Sequence, residues 1–191
     1  MTKTSLSFLS ILLIFLFFSC RTNRIAQTAP VYITNTKKYY LLPAQKIKIK
    51  KETLQLVSIT YDKNKFTFQS YTSADKSAII MDLMNEMGTS IGEISYVNGK
   101  AVCTSSFFPQ HLKPEYILAD FQFCYYDEKT LEKSLKEQNL DFSAVYNTEG
   151  TVQTRKILDG KNCIEQITIT KNSVHLTNFL RGYEYILEDM K

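Results

Sequence analysis

The chain has 191 residues, a net charge of +4, 44% hydrophobic residues and 22% charged ones. That length suits one domain with a sizeable core, and that balance excludes a disordered chain and a strongly basic nucleic-acid binder. Six Gly and four Pro exclude collagen-like and low-complexity classes, while 12 Tyr, 12 Phe, no Trp and two His are unusual counts.

Lys3 precedes a thirteen-residue run, 6–18, that is apolar except for Ser7 and Ser10; Ser19, Cys20 and Arg21 follow. A charged head, a greasy run and a small residue describe a secretory signal, and the run is too short to span a bilayer well. Phe17-Phe18-Ser19-Cys20 resembles the lipobox of bacterial lipoproteins, with Phe17 where Leu is usual. A plain signal peptide with an incidental Cys, or an uncleaved anchor, is the other reading. The resemblance implies a signal peptide over 1–19 and a mature chain starting at Cys20. That Cys would carry palmitate-type acyl chains and join the protein to membrane lipid. Each buried methylene contributes about 0.8 kcal/mol, so two or more chains hold firmly. Arg21, in place of an Asp, points to the outer membrane and its periplasmic face. Cys103, Cys124 and Cys163 remain besides the anchor, open between one disulfide with a free thiol and three buried thiols.

Residues 20–38 read as the acylated Cys and a polar tether, and 39–191 as one domain. Lys46-Ile47-Lys48-Ile49-Lys50 alternates strictly and predicts a strand with a lysine face, either solvated or turned to anionic lipid. Further strands are predicted over 54–59, 66–71, 77–84 and 91–97, with a turn at 62–64. Asn98-Gly99 is a strong two-residue hairpin turn, from which 100–107 returns.

The periodicity then changes. Pro114-Glu115 suits a first helical turn. Ile117, Leu118, Phe121, Cys124 and Tyr125 follow at spacings of three and four. Asp127 can cap a second helix that buries Leu131 and Leu135 and ends at Asn139. Strands resume over 142–146, 151–158, 162–170, 173–178 and 182–187, with Asp159-Gly160 as another hairpin signal. Tyr183, Tyr185 and Leu187 share a face of the last. The expected fold is mainly β (α+β), a meander of about ten strands in an incomplete antiparallel barrel with a helical insert over its open mouth.

The segments 114–122 (Pro-Glu-Tyr-Ile-Leu-Ala-Asp-Phe-Gln) and 178–185 (Asn-Phe-Leu-Arg-Gly-Tyr-Glu-Tyr), with Tyr39-Tyr40-Leu41-Leu42-Pro43, resemble a LolB-like family of outer-membrane lipoproteins of unknown function. That family lies within the LolA/LolB superfamily of lipoprotein carriers and acceptors, and the likeness covers about residues 36–190. It implies a bent half-barrel whose apolar hollow accepts acyl chains or lipoproteins, a lid of helices, and a periplasmic carrier protein as partner. In the loop 84–90, Met87 stands where LolB presents an exposed Leu to the membrane, which makes Met84 and Met87 the expected membrane-insertion residues. Glu86 replaces the usual Pro, and an ordinary surface Met is the other reading.

Catalytic signatures are lacking: His111 and His175 lie in no triad pattern, and there is no nucleophile elbow, phosphate loop or zincin motif. A metal at Cys103, His111 and Cys163 would need the fold to gather them. Asp120, mid-helix among apolar residues, is open between a buried anchor bonding a backbone group or Arg181 and a solvent-facing residue. The candidate ligand-lining residues are Ile117, Leu118, Phe121, Phe123, Tyr125, Tyr183 and Tyr185, with core packing as the rival role. The expected protein is a non-enzymatic monomer without cofactor or metal that accepts acyl-chain ligands at the outer membrane. The alternative is an accessory envelope protein with a filled core that binds a protein partner.

Overall fold

The computed structural model describes residues 29–48, 50–105 and 113–190. The expected signal peptide, Cys20 and His111 lie outside these residues. Strands β1 (Val31–Tyr32) and β2 (Lys38–Tyr39) form a small ladder, and a 3₁₀ turn spans Ala44–Lys46. Five strands follow: β3 (Lys51–Tyr61), β4 (Asn64–Ala74), β5 (Ala78–Met84), β6 (Ser90–Val97) and β7 (Lys100–Ser105). Helices α1 (Pro114–Tyr125) and α2 (Glu128–Lys136) come next. The chain closes with β8 (Asp141–Tyr146), β9 (Gln153–Asp159), β10 (Asn162–Ile169), β11 (Ser173–Asn178) and β12 (Tyr183–Asp189).

Ten of these strands make one antiparallel sheet in the order β7-β6-β5-β4-β3-β12-β11-β10-β9-β8. It consists of two meanders joined at their inner strands, where Tyr185 faces Ile59 and Leu187 faces Val57. The two edges, β7 and β8, are consecutive in the chain, so the link between them must cross an open face. The helices make that crossing. Helix α1 touches β7 on one side and β10 on the other. These strands are seven steps apart in the sheet, about 34 Å if flat at ~4.8 Å per step, whereas a helix is about 10 Å wide. The sheet therefore curls around α1, an incomplete barrel with the helix in its hollow.

Local chemistry fixes the elements. Asn98 and Gly99 both have positive φ, 51° and 77°, as a tight hairpin requires. Pro114 sits at the start of α1, with Glu115 in its first turn. Asp127 caps α2, its Oδ2 accepting from the Thr130 N–H (3.2 Å) and hydroxyl (3.0 Å). Leu131 and Leu135 are fully buried, and Asn139, at φ 57°, turns the chain out of the helix. At Gly92 a Cβ would stand 2.6 Å from the Thr104 carbonyl oxygen and 2.5 Å from Ser105 Cβ, so β6 and β7 approach closely there because no side chain intervenes.

Three local readings differ. The described residues 46–48 and 50 lie in no strand: Ala44–Lys46 is a 3₁₀ turn and β3 starts at Lys51. The alternation instead reflects a connector in which Ile47 is buried, while Lys48 pairs with Asp127 (2.6 Å) and Lys50 with Glu52 (2.7 Å). The folded region begins before residue 39, since Val31 and Ile33 are buried and the 34–37 turn closes the β1–β2 ladder. The β9–β10 turn is Gly160-Lys161, one residue later than expected, because Asp159 pairs across it with Asn162.

Candidate functional site

The inner face of the sheet is built by period-two alternation. Gln55, Val57 and Ile59 of β3, Phe68, Ser70 and Thr72 of β4, and Met81 and Leu83 of β5 point to one side. Tyr185 and Leu187 of β12 and Leu176 of β11 continue it. Helix α1 meets this face with Ile117, Asp120, Phe121, Cys124 and Tyr125, a stripe at spacings of three and four. Between stripe and sheet lies an apolar cavity of about 90 Å³. Such a space holds a few waters but is smaller than a typical ligand pocket of roughly 300–1,000 Å³.

Four of the seven expected lining residues border this cavity: Ile117, Phe121, Tyr125 and Tyr185. The rings of Phe121 and Tyr125 pack at 4.9 Å. Leu118 and Phe123 do not line it. Both are fully buried, and Phe123 packs on Tyr39 at 4.8 Å on another side of the helix. At 100° per residue, position 123 lies about 160° from Phe121, whereas position 118 lies just past the edge of the stripe, about 20° beyond Tyr125. Tyr183 also stands outside the lining, stacked on Tyr185 at 5.0 Å.

Asp120 is the polar member of the stripe. It is 6% exposed, which excludes the solvent-facing role. Its partner is Tyr183, whose hydroxyl reaches Oδ1 at 3.1 Å and Oδ2 at 3.0 Å. Arg181, one of the two partners expected for it, instead donates to the Tyr32 carbonyl and stacks over the Tyr116 ring. Burial pushes the Asp120 carboxyl up to about 7, against the opposing pull of the Tyr183 and Tyr185 hydroxyls and the Arg181 charge. Behind Tyr183, Asn178 donates to Glu165 Oε2 (3.0 Å) and to the Tyr183 hydroxyl (3.3 Å). Glu165 is 2% exposed, and its Oε1 has no hydrogen-bond partner among the described residues. Burial, then the neighbouring Asp120 charge, hold its carboxyl well above the usual range, while the Asn178 bond opposes.

The back of α1 is covered by the strap 39–43. Gln122 clasps it: Oε1 accepts from the Tyr39 hydroxyl (2.8 Å) and Leu42 N–H (2.9 Å), and Nε2 donates to the Leu42 carbonyl (2.7 Å). Arg155 of β9 donates to the carbonyls of Phe123 and Tyr126, both at 2.9 Å, placing a cation at the negative end of the helix. The C-terminal half of α1 is therefore tied on two sides. The N-terminal half carries the Asp120–Tyr183 contact and a longer bond from Tyr32 N–H to the Tyr116 hydroxyl (3.3 Å).

Met87 is 91% exposed at the β5–β6 loop tip, while Met84 is half-buried at the strand end. The loop is well defined: Asn85 Oδ1 accepts from the N–H groups of Met87 (3.0 Å) and Thr89 (2.9 Å). Cys124 is buried and Cys103 and Cys163 are half-buried, all three as free thiols.

Sequence reasoning gave no role to Glu165, Asn178, Gln122 or Arg155. Glu165 follows Ile164 in a strand, and alternation would place one of them outward. A register shift between Cys163 and Glu165 turns both inward. Arg155 carries no local signal, since its partners are carbonyls about thirty positions away.

Residues 52–191 match the model of a family described as "Protein of unknown function (DUF3261)". No curated protein matches the chain.

Proposed function

The chain belongs to the DUF3261 family, and from that premise we propose that it binds an apolar chain between α1 and the concave sheet, as a LolB-like acceptor anchored to the outer membrane through acylated Cys20. The observation that carries the reading is the apolar cavity under α1, bordered by Phe121, Tyr125, Tyr185 and strand residues from both meanders. Burial of methylenes, at about 0.8 kcal/mol each, supplies the affinity. The cavity, at about 90 Å³, is too small for a long chain. Loading thus needs the less tightly tied N-terminal half of α1 to lift while Gln122 and Arg155 hold the other end.

The test is calorimetric titration of the full chain with decan-1-ol, beside a Ser70→Phe variant that fills the cavity. Saturable binding to the natural chain and its loss in the variant is the expected result. Slower amide exchange over 117–120 in the loaded protein accompanies it. Equal binding by both proteins contradicts the reading.

The exposed Met87 supports delivery at a lipid surface, since a thioether at a loop tip can enter the interface. Met87→Asp is expected to lower co-sedimentation with anionic vesicles several-fold; unchanged co-sedimentation removes that part. The small cavity favours a second reading, an accessory envelope protein with a packed interior and a protein partner, and failure of decan-1-ol to bind would select it.

A further inference from the structure

The wall of the cavity carries a carboxylate where an acyl-chain site needs only hydrocarbon. Asp120 borders the cavity from α1, and Glu165 stands behind it on β10. The surrounding protein supplies few donors to this pair. Asp120 receives the Tyr183 hydroxyl with the Tyr185 hydroxyl beside it, and Glu165 receives one Asn178 N–H. The second Asn178 contact goes to Tyr183, and the Asn178 carbonyl oxygen accepts from the Arg181 N–H (2.9 Å). Two carboxyl groups offer about eight acceptor positions between them. Glu165 Oε1 is left with no partner among the described residues.

Among the described residues no Lys or Arg hydrogen-bonds to either carboxyl, and the Arg181 charge acts on Asp120 only through space. The cavity lining has no Lys or Arg. Lys51 stands over the outer ring of Tyr125 (4.3 Å), Arg155 is committed to the end of α1, and Arg181 to Tyr32 and Tyr116. Buried carboxylates persist when they are paired, protonated or given donors. An arriving ligand with a carboxylate or phosphate at this wall would add a third negative group in a low-dielectric space. A ligand with a positive, donor-only end would supply both the missing charge and the missing hydrogen bonds.

We propose that the Asp120–Glu165 pair is a head-group site for a protonated primary amine carried on an apolar chain, and that it excludes anionic head groups. The proposal rests on the reading that the cavity takes an apolar chain, and it specifies which end group enters with that chain. Tyr183 positions the pair, holding Asp120 from one side and receiving Asn178 from the other.

Calorimetric titration of the full chain at pH 8 with decylammonium, decan-1-ol and decanoate separates the two levels. The expected order is decylammonium tightest by about 10-fold or more over decan-1-ol, with decanoate weakest. Asp120→Asn is expected to bring the ammonium-to-alcohol ratio near one, the alcohol serving as the reference within each protein; Glu165→Gln lowers the same ratio and serves if the first variant folds poorly. Equal binding of alcohol and ammonium by the natural chain, or preference for decanoate, overturns the head-group site alone. Absence of binding by all three overturns the apolar-chain reading beneath it.

Discussion

Asp120 concentrates the competing forces in this protein. A helix position facing an apolar cavity favours a hydrocarbon side chain, yet a carboxyl sits there, held by the Tyr183 hydroxyl. Its titration near 7, raised from 3.8 by burial, makes stability depend on pH. A carboxyl raised in the folded state stabilises fully below its unfolded value, and that contribution is lost as pH rises through its folded value. The domain is thus expected to lose stability between about pH 4 and pH 7, on the order of a few kcal/mol from this group. Urea melts across that range should show a smaller loss in Asp120→Asn, with Glu165 sustaining a residual slope of the same sign. Parallel curves for the two proteins would contradict it. The sequence marked Asp120 as unusual because a charge broke an apolar stripe. It left Glu165 unmarked, because the register shift that buries it lies in the backbone and not in the residue pattern.

At the scale of elements, alternation and helix periodicity made most of the architecture legible. Pro114 and Asp127 identified both helix starts, and Asn98-Gly99 identified a turn that forms where expected. The failure at 46–50 is instructive. Alternating Lys and Ile fits a strand, but Pro43 leads into a 3₁₀ turn and Lys48 is drawn to Asp127, so tertiary pairing overrides local pattern. Gly92 shows the reverse, a local requirement imposed by close strand approach. Gly92→Ala is expected to destabilise by about 1–3 kcal/mol, because the Thr104 backbone oxygen cannot withdraw like a flexible side chain. Thermal unfolding of the variant checks this, and an unchanged midpoint would mean that β6 and β7 separate there at little cost. The half of α1 that reaches Gln122 and Arg155 was readable as a helix but not as a clamped one, since its partners lie some thirty to eighty positions away.

At the scale of the molecule, the described residues form a ten-stranded sheet curled around one helix, with a strap behind that helix and a small hollow in front of it. A meander whose two edges are consecutive in the chain obliges the connecting helices to cross the hollow, and this topology brings stripe and sheet together. The central claim is that the hollow opens to hold an apolar chain. Because the chain has no Trp, Phe121→Trp places a single, selectively excitable Trp at the cavity wall, and Val145→Trp places one on the exposed edge strand β8 as control. Titration of both full-length variants with 10-bromodecan-1-ol, whose bromine quenches on contact, is the most direct measurement. The account predicts saturable quenching at position 121 and none at 145; no saturable quenching at 121, or the same quenching at both positions, would contradict it.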